Sequence, residues 1–162
     1  MYKSFSALTI VLFLLFSSLA TAFANVAFIP EDKFIDTYVY KYEVDAGDTV
    51  DGHFYLRNLI EDEISAELMV YGTDGAYNDG GNFYVTDKES TGAGKWFKMG
   101  ESVSNTITVT VGPGETVNVP FELTIPKDTP IGKYYGAIGF EPAPSTGGMI
   151  KIASKTVTRV EI

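Results

Sequence analysis

The sequence contains no cysteine, which excludes disulfides, thiolate metal sites, thiol nucleophiles and lipid anchors carried on a thiol. Histidine is nearly absent. His53 stands alone, so a multi-histidine metal centre is ruled out and any Ser–His arrangement would depend on this one ring. Positive charge is sparse too, with 12 Lys and Arg against 21 Asp and Glu for a formal net charge of −9, and the cations form no basic run. A field of that sign argues against nucleic acid and anionic membrane surfaces as primary partners. Beyond the first two dozen residues, no apolar run reaches the ~20 residues that a membrane-spanning helix needs.

What is present suffices for one folded domain. A hydrophobic fraction of 45% and an aromatic fraction of 14% over 162 residues supply a core and exclude global disorder. The N-terminus reads as an export signal: Lys3, an apolar stretch from Phe5 to Phe16 broken by Ser6 and Thr9, then Ala22-Phe23-Ala24 in the small-x-small pattern of a signal-peptidase site. Cleavage is expected after Ala24; a retained segment would act as an N-terminal anchor instead. The expected organisation is a signal peptide at 1–24, an N-terminal extension at 25–36 and a folded domain at 37–162. The processed protein is expected outside the cytoplasm, associated with the cell surface, with no stable membrane span.

The processed chain has a period of two. Val117, Val119, Phe121, Leu123 and Ile125 alternate with mainly polar neighbours, and Ile107, Val109 and Val111 alternate with Thr106, Thr108 and Thr110, so each run predicts a strand with one wet face. Strands are expected near 37–44, 49–58, 64–72, 82–86, 106–111, 116–125, 134–140 and 149–162. Gly52 interrupts the apolar face of the second of these and predicts a bulge or a close approach. Turn clusters at Ala46-Gly47-Asp48, Gly112-Pro113-Gly114 and 126–130 separate the runs. Seven to eight short strands with this punctuation predict an all-β, immunoglobulin-like antiparallel β-sandwich, with a closed barrel as the alternative. Tyr134 follows a proline-flanked crossover, at the place where a tyrosine corner ties a strand start to upstream backbone.

Candidate site residues concentrate at 72–86. Asp74, Asn78, Asp79 and Asn82 place four oxygen-bearing side chains within nine residues among glycines, the composition of a calcium loop and equally of an ordinary polar loop. Tyr77, Phe83 and Tyr84 alternate with these groups, and Trp96 lies outside any clean strand. Aromatic faces beside amide and carboxylate acceptors suit a sugar or a peptide, and they also suit the closed end of a sandwich. No catalytic constellation emerges. His53 shares its strand face with Asp51, Tyr55 and Arg57, and carboxylate pairs are no more frequent than 21 acids produce by chance. No catalytic residue and no cofactor other than calcium is expected.

The order of Ala46-Gly47-Asp48-Thr49, Arg57-Asn58-Leu59, Gly112-Pro113-Gly114-Glu115-Thr116, the 125–136 stretch from Ile125-Pro126 to Tyr134-Tyr135-Gly136, and Arg159-Val160 resembles bacterial surface modules related to the peptidoglycan-binding domain of WxL-interacting proteins. The resemblance covers roughly 37–162. It implies an exported, immunoglobulin-like, non-enzymatic domain associated with the cell wall. Two functions are therefore expected: a surface binding module for cell-wall glycan or another surface protein, or an assembly protein acting through β-strand exchange or addition at a sheet edge.

Overall fold

The structure, a computed structural model, describes residues 26–61, 65–85, 90–143 and 156–161. The expected signal peptide, the acidic run at 62–63 and the first half of the expected last strand lie outside the described residues. Ten strands are formed among the described residues: β1 (Val26–Pro30), β2 (Val39–Lys41), β3 (Thr49–Asn58), β4 (Ala66–Tyr77), β5 (Phe83–Val85), β6 (Phe97–Met99), β7 (Thr106–Val111), β8 (Thr116–Thr124), β9 (Tyr135–Pro142) and β10 (Thr156–Glu161). The first sheet has the order β1-β3-β8-β6 and is antiparallel throughout. The second runs β2-β10-β9-β4, with β5 and β7 both pairing to β4; within it only β2 and β10 are parallel. This is a two-layer all-β sandwich of immunoglobulin type.

Two of the ten strands were not expected. The stretch at 25–36 was read as an extension, yet Val26–Pro30 pairs with Phe54–Asn58 of β3 and builds the edge of the first sheet. Pro30 ends that strand because it has no N–H to continue a ladder. The chain then crosses through a short 3-10 turn at Asp32–Phe34, with Phe34 buried, and joins the second sheet as β2. Tyr38, at φ 53°, makes the left-handed turn into β2. Tyr40 fastens the crossover: its hydroxyl donates to the His53 carbonyl at 2.8 Å and accepts from the Glu31 N–H at 3.2 Å. The other unexpected strand is β6, three residues that follow Trp96 directly and pair with β8.

The alternation seen in the sequence decides what is inside. Phe54 and Leu56 of β3 and Val119, Phe121 and Leu123 of β8 point inward from the first sheet to meet Leu68, Val70, Ile138 and Phe140 from the second. Burial of each such side chain is worth about 1.5–3 kcal/mol, and this replaces the covalent staple that the chain lacks. Asp51, His53, Tyr55 and Arg57 share the outer face, as parity required. Gly52 turns out to be a close approach: a Cβ there would lie 2.4 Å from the Phe121 ring, and β3 runs through the position in unbroken register with β8.

Candidate functional site

The described part of the 72–86 stretch, 72–85, is a hairpin rather than an irregular loop, which corrects the expectation for that segment. β4 continues to Tyr77 and pairs back onto β5 with Gly75 opposite Val85 and Tyr77 opposite Phe83. Only 78–82 turns, and Asn78 organises it: its Oδ1 accepts the N–H groups of Gly80 at 3.0 Å and Asn82 at 2.9 Å. Asp79 is exposed at the tip. Asp74 lies back on the strand and faces elsewhere. Its carboxylate accepts the N–H groups of Thr91 at 2.6 Å, Gly92 at 2.8 Å and Gly94 at 2.6 Å, and the Thr91 hydroxyl at 3.3 Å. The four oxygen-bearing residues therefore do not converge on a common centre. Among the described residues no group of three or more His, Asp or Glu is placed to share a metal.

Burial alone would push the Asp74 carboxyl up, but the donors at Gly92, Gly94 and Thr91 outweigh it and hold the group below the ordinary carboxylate value. In this way Asp74 fixes the start of the 3-10 turn at Ala93–Trp96. That turn sets Trp96 against Tyr134, with ring centroids 5.0 Å apart. The Tyr134 hydroxyl in turn donates to the Pro130 carbonyl at 2.8 Å, which is the corner expected from the sequence.

The aromatic residues divide between the two sides of β9. Tyr77 meets Phe83 edge-on at 5.5 Å and Tyr135 edge-on at 5.0 Å, and its hydroxyl donates to Glu161 Oε1 at 3.3 Å. Lys41 Nζ stands 3.6 Å from Glu161 Oε2. Tyr134 and Tyr135 are consecutive, so Tyr134 turns toward Trp96 while Tyr135 joins Tyr77 on the outer face. Tyr84 projects away from Phe83 and is 48% exposed. The structure thus brings Tyr77 and Phe83 together, places Trp96 in a separate pair, and leaves Tyr84 apart.

A groove of about 640 Å³ opens beside the Tyr77 cluster, walled by residues 41–45 and Asp48 on one side and by Gly132, Lys133 and Tyr135 on the other, with Glu161 at its near end. Its size falls within the range of binding clefts, about 300–1,000 Å³. Lys41, Lys133, Tyr135 and Glu161 were not picked out from the sequence. They come from three segments that only the β2-β10-β9 order brings together, and no local pattern marks them. His53 is remote from this end of β3: its Nδ1 lies 4.0 Å from Glu31 Oε2 and its ring meets Tyr55 edge-on at 5.3 Å.

No known protein family matches the chain, and no curated protein matches it. Solved structures do. A chain from a chaperone–tip adhesin complex of CFA/I fimbriae superimposes with a TM-score of 0.51 at 11% identity, covering 85% of this chain and 55% of that one. The seventh PapD-like domain of human CEP192 gives 0.47 at 10% identity, covering 85% and 83%. A family 123 glycoside hydrolase from Clostridium perfringens gives 0.48 at 10% identity, covering 76% of this chain and 22% of the enzyme. At 11% identity the first of these likenesses defines the fold class, an immunoglobulin-type sandwich, and nothing narrower. Among the described residues no helix is long and apolar enough to cross a membrane.

Proposed function

We propose that this is an exported, non-catalytic module of the bacterial cell surface, which binds cell-wall glycan or another surface protein through the end of the sandwich formed by 41–48, 77–83 and 132–135. The observation that carries the reading is the groove itself. Its rim holds Tyr135 and, next to it, the edge-on pair of Tyr77 and Phe83, while Glu161, Lys41 and Lys133 supply polar groups of both signs. Aromatic faces with a few convergent polar groups are what both sugar and peptide recognition use. The resemblance to the peptidoglycan-binding domain of WxL-interacting proteins points to the wall, and the signal-like N-terminus points to export. The surroundings of His53 support a non-catalytic reading, since its ring meets a carboxylate and a tyrosine rather than a nucleophile.

The reading is tested by co-sedimentation of the processed protein with purified peptidoglycan and with intact cells. Retention that falls at least tenfold in Tyr77→Ala with Tyr135→Ala, while Trp96→Phe binds as wild type, supports it. Equal retention of the double variant, or turnover of a hydrolase substrate that is lost in His53→Ala, contradicts it.

A further inference from the structure

β7 lies in the middle of the continuous stretch 90–143 and pairs with β4 on the side away from β9; among the described residues no strand pairs with its other side. The Gly72 N–H donates to the Asn105 carbonyl at 2.8 Å, so position 105 turns its backbone toward β4. Antiparallel pairing alternates this direction. Positions 107, 109 and 111 therefore face β4 as well, while Thr106, Thr108 and Thr110 aim their N–H and C=O groups outward. The Thr106 N–H is occupied locally by the Ser104 hydroxyl oxygen at 3.2 Å. Among the described residues the backbone groups of Thr108 and Thr110 bond to nothing.

The other edge strands are short or blunted. β1 ends in Pro30, β2, β5 and β6 have three residues each, and β2 and β6 carry Lys41 and Lys98. β7 has six residues in unbroken register with β4, with no proline, glycine, bulge or charge. The nearest charged residues along the chain are Glu101 and Glu115. In a chain of net charge −9 this edge is a place where a second acidic body can come close without setting like charges together. The strand is also complementary to itself. Antiparallel pairing centred on Thr108 sets Thr108 opposite Thr108, Thr106 opposite Thr110 and Ile107 opposite Val109. The outward backbone groups then meet one another, the exposed threonines share the wet face, and the half-buried Ile107 and Val109 meet on the core side. A slip of one position would set threonine against isoleucine or valine and turn outward backbone groups against inward ones.

We infer that β7 is a dimerisation edge, where a second copy of this chain adds its own β7 antiparallel across a two-fold axis at Thr108 and joins the two second sheets into one. The pairing is independent of what the groove at 41–48 and 132–135 binds. Because the two strands run in opposite directions, it holds the grooves of the two copies at opposite ends of the dimer, a geometry that bridges two ligands rather than gripping one. A contact of one strand per copy is small, so the dimer is weak, with a dissociation constant of about 100 µM. Salt strengthens it by screening the net charge that the two copies share.

The test is sedimentation equilibrium of the processed protein from about 10 µM to 1 mM, alongside Thr108→Lys, Thr108→Glu and an equimolar mixture of the two. Wild type is expected to dimerise. Each charged variant alone should associate at least tenfold more weakly, because like charges meet on the axis, and the mixture should recover association. The side chain at 108 is exposed, so both variants should keep the urea midpoint of wild type. Independently of any variant, amide exchange at Thr108 and Thr110 in wild type should slow as concentration rises. A monomer at 1 mM, association that neither charge weakens, or protection centred away from β7 overturns the inference. So does a monomer whose Thr108 and Thr110 amides are protected only by an added threonine–valine hexapeptide, since the edge would then serve a different chain.

Discussion

Tyr134 is bonded to Pro130, hydroxyl to carbonyl, at 2.8 Å, and the ring that carries this hydroxyl also supports Trp96. One side chain thus joins the β8–β9 crossover to the turn before β6. Tyr134→Phe removes the hydrogen bond and keeps the ring, so it should cost about 0.5–1.5 kcal/mol in urea unfolding. Tyr134→Ala should cost more and shift the emission of the single tryptophan to longer wavelength. An unchanged unfolding midpoint in Tyr134→Phe would show that the corner contributes nothing.

Asp74 should make the 91–96 turn sensitive to acid. Its carboxyl is held below the ordinary value in the folded state, so the stability it contributes is present above the unfolded value, about 3.9, and is lost as pH falls through the folded one. Amide exchange at Thr91, Gly92 and Gly94 should therefore quicken, relative to the core strands, as the carboxyl takes up its proton. Asp74→Asn should raise exchange at these amides roughly tenfold or more at neutral pH, since a hydrogen bond to a charged acceptor is worth about 1.5–3 kcal/mol. It should also abolish the acid transition.

Phe97 packs against the backbone of Gly72, where a Cβ would lie 2.5 Å from the Phe97 Cβ. The contact is with the root of the side chain, which has no rotamer by which to withdraw. Gly72→Ala is expected to destabilise by about 1–3 kcal/mol through overpacking, read as a lower urea midpoint with an unchanged slope. Ala at Gly81, where no atom lies within 4 Å but φ is 74°, should instead pay only the cost of a left-handed backbone, about 1–2 kcal/mol.

Alkaline titration should divide the tyrosines. Burial pushes Tyr40 up to about 12 despite the backbone hydrogen bond at Glu31, burial with Glu141 nearby takes Tyr71 to about 12, and burial with Glu31 nearby raises Tyr42 further. A folded value above the unfolded value of about 10 means that the stability each provides is complete below pH 10 and is lost as pH rises through 12. Phenolate absorbance should show these three ionising only with unfolding. Tyr40→Phe should remove part of the late step.

The parts of the fold that were legible in the sequence are those where one face is wet. β3 and β7 run over the residues that alternation marked, because Thr106, Thr108 and Thr110 are exposed while Val111 is buried and Ile107 and Val109 are half-buried against the core. β4 was read five residues short. It has to admit the Phe97 side chain at Gly72 and the Phe83 ring at Gly75, and the small residues that allow this also resemble a loop. β1 and β6 carry too few residues to display a period, and their partners in β3 and β8 lie at least 20 positions away. Tyr134 was legible because a corner is a local device. Glu161, Lys41 and Tyr135 were not, because pairing across the second sheet makes them neighbours.

The central claim is that contact is made at the 41–48 and 132–135 end of the sandwich, and amide hydrogen exchange of the processed protein, free and bound to intact bacterial envelopes, tests it most directly. Added protection at 42–45, 77–83 and 132–135, with β7 and the outer face of β3 unchanged, is the predicted result. Protection centred on His53, Tyr55 and Arg57, or spread evenly over both sheets, would contradict it.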